Sequence, residues 1–185
     1  MVKKILLGLA ALIALLVIIV AMRPSEFTIE RSIDLNAPAA QAFGYVNDLR
    51  QLEKWNPWAK LDPNMKTEFS GAASGVGAMY AWDGNSQVGK GRQTIVESVP
   101  GKKVGMKLEF FAPMQATNDV VFAFDERQAG TTRVTWRMSG TQNFMMKGMT
   151  MFMDMDTMVG DEFDKGLATL KTLAEADTQR SDRLS

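Results

Sequence analysis

The chain of 185 residues contains no cysteine and no histidine. The absence of cysteine excludes disulfide bridges, thiol nucleophiles and an acylated lipoprotein N-terminus. The absence of histidine excludes Ser-His-Asp triads and imidazole acid–base catalysis, and the two absences together exclude zinc sites built from Cys or His. An enzyme of this composition would depend on a tyrosine or a carboxylate as its acid or base.

The chain also lacks an excess of charge of either sign, with 21 basic residues, 21 acidic residues and a pI of about 6.3. Nucleic-acid-binding proteins usually carry a basic stripe, and the sequence contains none, so we predict no nucleic-acid partner. It shows no internal repeat and no low-complexity linker. After the N-terminal segment roughly 160 residues remain, which suits one domain with one core.

The N-terminus is dominated by an apolar run. Lys3 and Lys4 precede residues 5–22, which carry no charge and would span about 27 Å as a helix, close to the hydrocarbon thickness of a bilayer. A cleaved signal peptide is the alternative, but this run is longer than usual and no small-x-small cleavage site follows it. We therefore predict that residues 1–24 form an uncleaved transmembrane anchor.

The orientation of this anchor follows from its flanking charges. Positive charge before the run favours an N-terminus in the cytoplasm, so the domain would lie on the other side of the membrane. We predict a single-pass protein of the bacterial inner membrane whose domain faces the periplasm.

Alternating apolar and polar residues predict a first strand over 27–35. Asn36 and Pro38 are typical of a helix start, with Asn36 as its cap, and a second short helix is expected over 49–55. Turn signals then separate six predicted strands. These strands cover 67–70, 78–83, 88–98, 103–111, 117–125 and 131–139.

A long helix is predicted over 144–175, because apolar residues recur at helical spacing from Phe152 to Ala174. Residues 176–185 are polar and are expected to form a disordered tail. We predict an α+β fold in which a curved antiparallel sheet of about six to seven strands wraps on this long C-terminal helix. The gap between sheet and helix would be an apolar pocket.

Several short motifs accompany this order of elements, among them residues 33–38 (IDLNAP), 55–58 (WNPW) and 166–171 (GLATLK). Together they cover residues 26–175 and resemble the helix-grip superfamily SRPBCC, most of all its membrane-anchored polyketide cyclase/dehydrase-like members. The resemblance implies a helix-grip fold for residues 26–175. The superfamily includes START lipid-transfer domains, plant hormone binders and cyclases, so it does not imply one reaction, and we transfer no catalytic residue from it.

The predicted pocket is lined by apolar and aromatic side chains from the inward face of the strands and from the long helix. They are Trp58, Tyr80, Trp82, Met106, Leu108, Phe110, Phe122, Trp136, Met138, Met155, Val159 and Phe163. The predicted function is non-covalent binding of a hydrophobic small molecule or lipid at the membrane surface, without a cofactor. Two alternatives stay open: a protein-interaction module at the membrane, and a cyclase or dehydratase in which Tyr80 or an inward carboxylate acts as acid or base.

Seven of the fourteen methionines lie between Met145 and Met158. Methionine is flexible and polarisable, so this methionine cluster is interpreted as an adaptable wall or lid of the pocket. Two other interpretations stay open, namely ordinary core beside a loosely packed helix start, and contact of exposed sulfurs with the bilayer. The Trp55–Trp58 segment is likewise either the entrance of a pocket, a membrane contact or a buried hinge.

Charged residues offer fewer candidates. The acidic residues of 154–164 do not have calcium-loop spacing, because Gly160 falls at the seventh position instead of the sixth, so we expect a solvated helix face and no metal site. Arg92, Glu97 and Asp119 lie within predicted strands. An outward orientation is expected for each of them, with an inward, ligand-orienting role as the alternative.

Overall fold

The computed structural model describes residues 2–128 and 130–183 of the chain. Met1 and residues 184–185 of the predicted tail lie outside the described residues. The helices are α1 (Val2–Met22), α2 (Ala39–Asn47), α3 (Leu49–Trp55), a 3₁₀ turn (Pro57–Lys60), α4 (Phe144–Met149) and α5 (Met155–Asp182). The strands are β1 (Glu26–Leu35), β2 (Lys66–Gly71), β3 (Ala78–Asp83), β4 (Lys90–Val99), β5 (Lys103–Ala112), β6 (Ala116–Gln128) and β7 (Thr131–Thr141).

The seven strands form one antiparallel sheet in the order β1-β7-β6-β5-β4-β3-β2. Helix α5 packs on this sheet and buries Phe163, Leu167 and Leu170 against it, while α2 and α3 cover a further part of the same face. The predicted α+β helix-grip architecture is therefore confirmed. The inward residues of β5, β6 and β7 alternate with outward ones because side chains on a strand point to opposite faces in turn.

The outward face of the sheet carries ion pairs. Arg92 Nη2 lies 2.7 Å from Glu109 Oε2, and Lys103 Nζ lies 2.7 Å from Glu97 Oε2. Asp119 Oδ1 lies 3.0 Å from Lys107 Nζ. The alternative in which Arg92, Glu97 or Asp119 orients a ligand inside the pocket is therefore wrong, since all three pair with neighbours on the outer face.

One end of the sheet lies beside α1, and we call it the α1 end. Strand register brings Glu26, Asp83, Lys90, Ala112 and Thr141 to this end. The opposite end carries the turns around Gly75 and Gly101, both of which have positive φ. The two ends matter for function because α1 is continuous with only one of them.

Helix α1 is joined to the domain by more than the chain itself. Lys147 of α4 is buried, and its Nζ donates hydrogen bonds to the backbone oxygens of Ala21 at 3.1 Å and Arg23 at 3.0 Å. The last carbonyls of a helix have no partner within the helix, and a cation suits the negative end of the helix dipole. Lys147 therefore caps α1 and positions α4 at the α1 end.

Two predictions about helix boundaries are wrong. Asn36 does not cap α2: the cap position is Pro38, and the backbone N–H of Asn36 instead donates to Glu175 Oε1 at 2.7 Å. The predicted single helix over 144–175 is divided, because residues 150–154 interrupt it and Asp154 starts α5 anew by accepting a hydrogen bond from the N–H of Thr157 at 3.1 Å.

The expectation of a disordered tail from residue 176 is also wrong as far as residue 182. Helix α5 continues to Asp182, and Asp177 in this last part accepts hydrogen bonds from the hydroxyl of Tyr45 and the amide of Gln41. Contacts with α2 therefore stabilise a stretch whose own sequence is polar.

Candidate ligand-binding site

A cavity of about 190 Å³ lies between the concave face of the sheet and α5, and we call it the cup. Side chains from β3 to β7, α3, the 3₁₀ turn and the first turns of α5 line it. They are Leu52, Asn56, Trp58, Met65, Tyr80, Trp82, Gln87, Val88, Gln93, Leu108, Phe110, Val120, Phe122, Trp136, Met138, Val159 and Phe163.

Ten of the twelve residues proposed from the sequence line this cavity; Met106 and Met155 do not. Met106 is buried but does not line the cup, and its sulfur accepts a hydrogen bond from the side-chain amide of Gln93. Met155 is the first residue of α5 and borders a separate surface depression beside Arg23 and Pro24. It precedes the part of α5 that faces the cup.

Seven of the lining residues are not among the twelve proposed from the sequence. Leu52 lies on a short helix, and Met65, Gln87 and Val88 lie in loops where no periodicity reports orientation. Val120 follows the β6 alternation and was detectable as inward. Asn56 and Gln93 are polar, so a search for apolar positions does not find them.

Stacked aromatic rings build the wall of the cup beside α5. Trp136 lies parallel to Phe163 with 4.0 Å between ring centroids, and Trp58 meets Trp136 edge-on at 5.9 Å. Trp55 is fully buried behind them, and its indole N–H donates to the backbone oxygen of Tyr45 at 3.0 Å. The Trp55–Trp58 segment therefore combines a buried hinge at Trp55 with a cup wall at Trp58.

The cup contains no charge. None of its described lining residues is a carboxylate, an amine or a guanidinium, and Tyr80 is the one titratable group among them. Burial, with a smaller effect of the charge of Glu53, raises the pKa of Tyr80 above its ordinary value. Its hydroxyl is therefore neutral at physiological pH, and the described lining offers no carboxylate for the acid–base chemistry considered above.

Two polar atoms in this wall are unusual. Tyr80 Oη and Trp136 Nε1 are buried and have no hydrogen-bond partner among the described residues. By contrast, the indole N–H of Trp82 donates to the backbone oxygen of Val88 at 3.1 Å. Buried polar groups are normally paired, so an unpaired donor on a side chain that lines a cavity indicates a position for a ligand atom.

The methionine cluster lies elsewhere. None of the seven methionines of 145–158 lines the cup, so their interpretation as a pocket wall is wrong. Met145 is 67% exposed, and Phe152, which lies within the same segment of the chain, is 85% exposed. Both residues lie near the point where α1 joins the domain. Among the described residues no group of three acidic side chains is arranged to hold a metal ion.

Helix α1 is the one described helix that is long and apolar enough to cross a membrane, with a mean hydropathy of 3.2 and almost no burial in the domain. Its length and composition suit a membrane span or a signal sequence.

Solved structures show the same fold at low sequence identity. Protein CV1439 from Chromobacterium violaceum has a TM-score of 0.58 and 16% identity, over 80% of this chain and 96% of that one. The Aha1 dimer from Colwellia psychrerythraea has a TM-score of 0.57 and 18% identity over the same shares. The di-domain ARO/CYC StfQ from the steffimycin biosynthetic pathway has a TM-score of 0.59 and 12% identity, over 83% of this chain and 52% of that one.

No curated protein matches the sequence. A family model does: residues 26–175 match the family described as polyketide cyclase / dehydrase and lipid transport. The match covers the whole sheet, α2 to α4 and most of α5, and it agrees with a fold that binds hydrophobic ligands. The chain therefore belongs to the polyketide cyclase / dehydrase and lipid transport family.

Proposed function

We propose that the domain binds a hydrophobic small molecule, or the apolar part of a lipid, in the cup, and that it does so at the surface of the membrane that α1 spans. The observation that carries this proposal is the uncharged, aromatic-lined cavity of about 190 Å³ between the sheet and α5. A cavity of about 150 Å³ lined by Leu, Ile and Phe binds benzene. The cup therefore suits one fused ring pair or a short acyl segment, and a longer chain requires α5 or the loop of Val88 to move.

The binding free energy would come from burial of apolar surface. Each buried CH₂ group contributes about 0.8 kcal/mol, so a body of eight to ten carbons contributes roughly 6–8 kcal/mol before the cost of association is subtracted. The stacked rings of Trp136 and Phe163 provide a preformed wall, which lowers the cost of ordering side chains.

The position of the cup supports a role at a membrane. Trp82, Phe110 and Met138 lie close to the ends of their strands at the α1 end, and Val159 lies in the first turns of α5 at that same end. Large exposed apolar residues occur there as well; they are Met22, Phe111, Phe144, Met145, Met149, Phe152 and Met153. A ligand dissolved in the bilayer would thus have a short path to the cup.

Native mass spectrometry of the full chain, released from membranes in lipid nanodiscs, tests the binding role. We expect to detect a bound apolar molecule in addition to the lipids of the disc. We expect this molecule to be lost in Val120→Phe, which occupies part of the cup. A chain that carries no such molecule and loses nothing in the variant would contradict ligand binding and favour the interaction module.

The absence of cysteine allows a separate test of the membrane arrangement. A spin label on Phe152→Cys in the full chain, reconstituted in vesicles, should show high accessibility to oxygen and low accessibility to a polar nickel complex, as expected for lipid contact. Val76→Cys is the matched control, because Val76 is exposed by 59% and lies at the opposite end of the sheet. Equal access of the nickel complex to both labels would contradict membrane contact.

A further inference from the structure

The two unpaired polar atoms of the cup restrict what the cup can bind. We infer that its ligand is an uncharged apolar molecule that carries at least one hydrogen-bond-accepting oxygen, such as a ketone, ester or ether, and that this oxygen pairs with Tyr80 Oη or Trp136 Nε1. This inference rests on the proposed binding function and names the chemical class of the ligand.

Leaving these two atoms without a hydrogen-bond partner costs free energy because both are buried. The side chains of Tyr80 and Trp136 belong to residues that are only 3% and 7% exposed, and neither polar atom meets a partner among the described residues. A buried donor without a partner loses its hydration and gains nothing in return. The fold pairs Trp55 and Trp82 with backbone oxygens, so free indole N–H groups are not a general feature of this core.

Both groups can donate to an acceptor on the ligand. The indole N–H of Trp136 can only donate and therefore requires an acceptor, whereas the hydroxyl of Tyr80 is protonated and can donate or accept. A hydrocarbon would leave both donors unpaired. An oxygen on the ligand would satisfy a donor without bringing a second, competing donor into the cup.

The surroundings exclude an ionised ligand group. No cation is among the described residues that line the cup, and a carboxylate transferred there would lose its hydration without a counter-ion. The three amides of Asn56, Gln87 and Gln93 add polar contacts but no charge. Neutral oxygenated molecules are therefore favoured over both hydrocarbons and fatty acid anions.

The two donors belong to residues that come from distant strands but line one cavity. Tyr80 lies on β3 and Trp136 on β7, with β4, β5 and β6 between them, so they lie about 19 Å apart along the sheet at a spacing of about 4.8 Å per strand. The curvature of the sheet brings both side chains into the lining of the same cup. A ligand with oxygens on two sides would engage both donors, and a ligand with one oxygen would engage either.

Equilibrium dialysis of the full chain in nanodiscs tests this inference, with empty nanodiscs as the reference for partitioning into lipid. The probes are tetralin, 1-tetralone and 1-naphthoate, which share a fused ring body and differ in their oxygens. We expect 1-tetralone to bind roughly tenfold more tightly than tetralin, which is the effect of one buried donor gaining an acceptor, and 1-naphthoate to bind more weakly than 1-tetralone.

Tyr80→Phe and Trp136→Phe each remove one donor and keep an aromatic ring. We expect at least one of them to reduce the preference for 1-tetralone to about twofold or less, with tetralin binding retained. Tyr45→Phe is the matched control, because it removes a hydroxyl that is already paired with Asp177 and that lies outside the cup, and it should preserve the preference. Tyr80→Phe is nearly isosteric, so the test holds even if Trp136→Phe does not fold.

Equal binding of tetralin and 1-tetralone by the wild type would overturn the inference, since neither donor would then gain an acceptor from the ligand, and the binding function would stand. A preference that survives in both Tyr80→Phe and Trp136→Phe, or tighter binding of 1-naphthoate, would overturn it as well. Failure of all three probes to bind would overturn the proposed function itself, and the inference with it.

Discussion

A substitution that occupies part of the cup should reduce ligand binding and leave the stability of the fold unchanged. We expect Val120→Phe to have this effect. Val120 is buried on β6, and its side chain lines the cup. In a packed core, a larger side chain forces its neighbours out of place and costs about 1–3 kcal/mol. At Val120 the added ring has space to enter.

The size of the cavity sets the expected magnitude. An empty cavity costs about 24 cal/mol per Å³, so leaving the cup of about 190 Å³ unfilled costs roughly 4–5 kcal/mol. A phenyl ring that occupies about a quarter of this volume would recover about 1 kcal/mol, which offsets the strain of its insertion. We therefore expect the free energy of unfolding of Val120→Phe to lie within about 1 kcal/mol of that of the wild type.

Val134→Phe is the matched control. Val134 is fully buried on β7, but it does not line the cup. The same change there should destabilise the domain by about 1–3 kcal/mol. Urea unfolding of the full chain in nanodiscs, followed by tryptophan fluorescence, measures both values, and dialysis against 1-tetralone measures binding.

The combination of results decides the matter. Val120→Phe should keep its stability and lose at least tenfold in affinity for 1-tetralone, since the volume that the probe needs is occupied. If Val120→Phe destabilised the chain as much as Val134→Phe does, the cup would not be free space. If it kept full affinity, the ligand would bind elsewhere.

Two further predictions concern the contacts that hold the helices. Desolvation, followed by the hydrogen bond to Asp177, raises the pKa of Tyr45 from 10 to about 12. A pKa raised by folding gives stability that is present below pH 10 and is lost towards pH 12, so Tyr45→Phe should flatten the fall in urea-unfolding stability across that range. Lys147→Met should cost about 1–3 kcal/mol and speed hydrogen exchange at residues 23–27, because two backbone oxygens lose their donor. Lys102→Met, at an exposed position in the turn between β4 and β5 at the opposite end of the sheet, should change both readouts little, and similar effects of the two lysine variants would contradict the cap on α1.

Patterns of period two predicted most of this fold. The alternation in β5 and β7 identified the inward faces of Met106 and Trp136, because one face of each strand is wet and the other dry. Helix boundaries were less predictable. Asn36 is a good capping residue by type, but its backbone N–H pairs with Glu175 across the sequence, a contact that local pattern does not contain. The helix is interrupted at residues 150–154 because Asp154 caps the start of α5. The apolar pattern continues through these residues and therefore did not predict the interruption.

The candidate site was predictable only in part, for a related reason. Periodicity reports which side chains point inward, and ten predicted residues do line the cup. It does not report which inward side chains leave a void, because a void depends on how three elements fit together. Val88 and Met65 enter the cup from loops, and Met106, although it is buried on β5, does not line it.

The contact between Lys147 and the end of α1 links the last turn of the N-terminal helix to the stability of the domain. A peptidase cut after Met22 would remove the Ala21 oxygen and turn the Arg23 residue into a new, positively charged N-terminus close to the buried ammonium group. The new α-ammonium group of Arg23 and the ammonium group of Lys147 would then lie close together, whereas the intact chain has only the Lys147 charge there. We therefore expect processing at this point to lower the free energy of unfolding of the product.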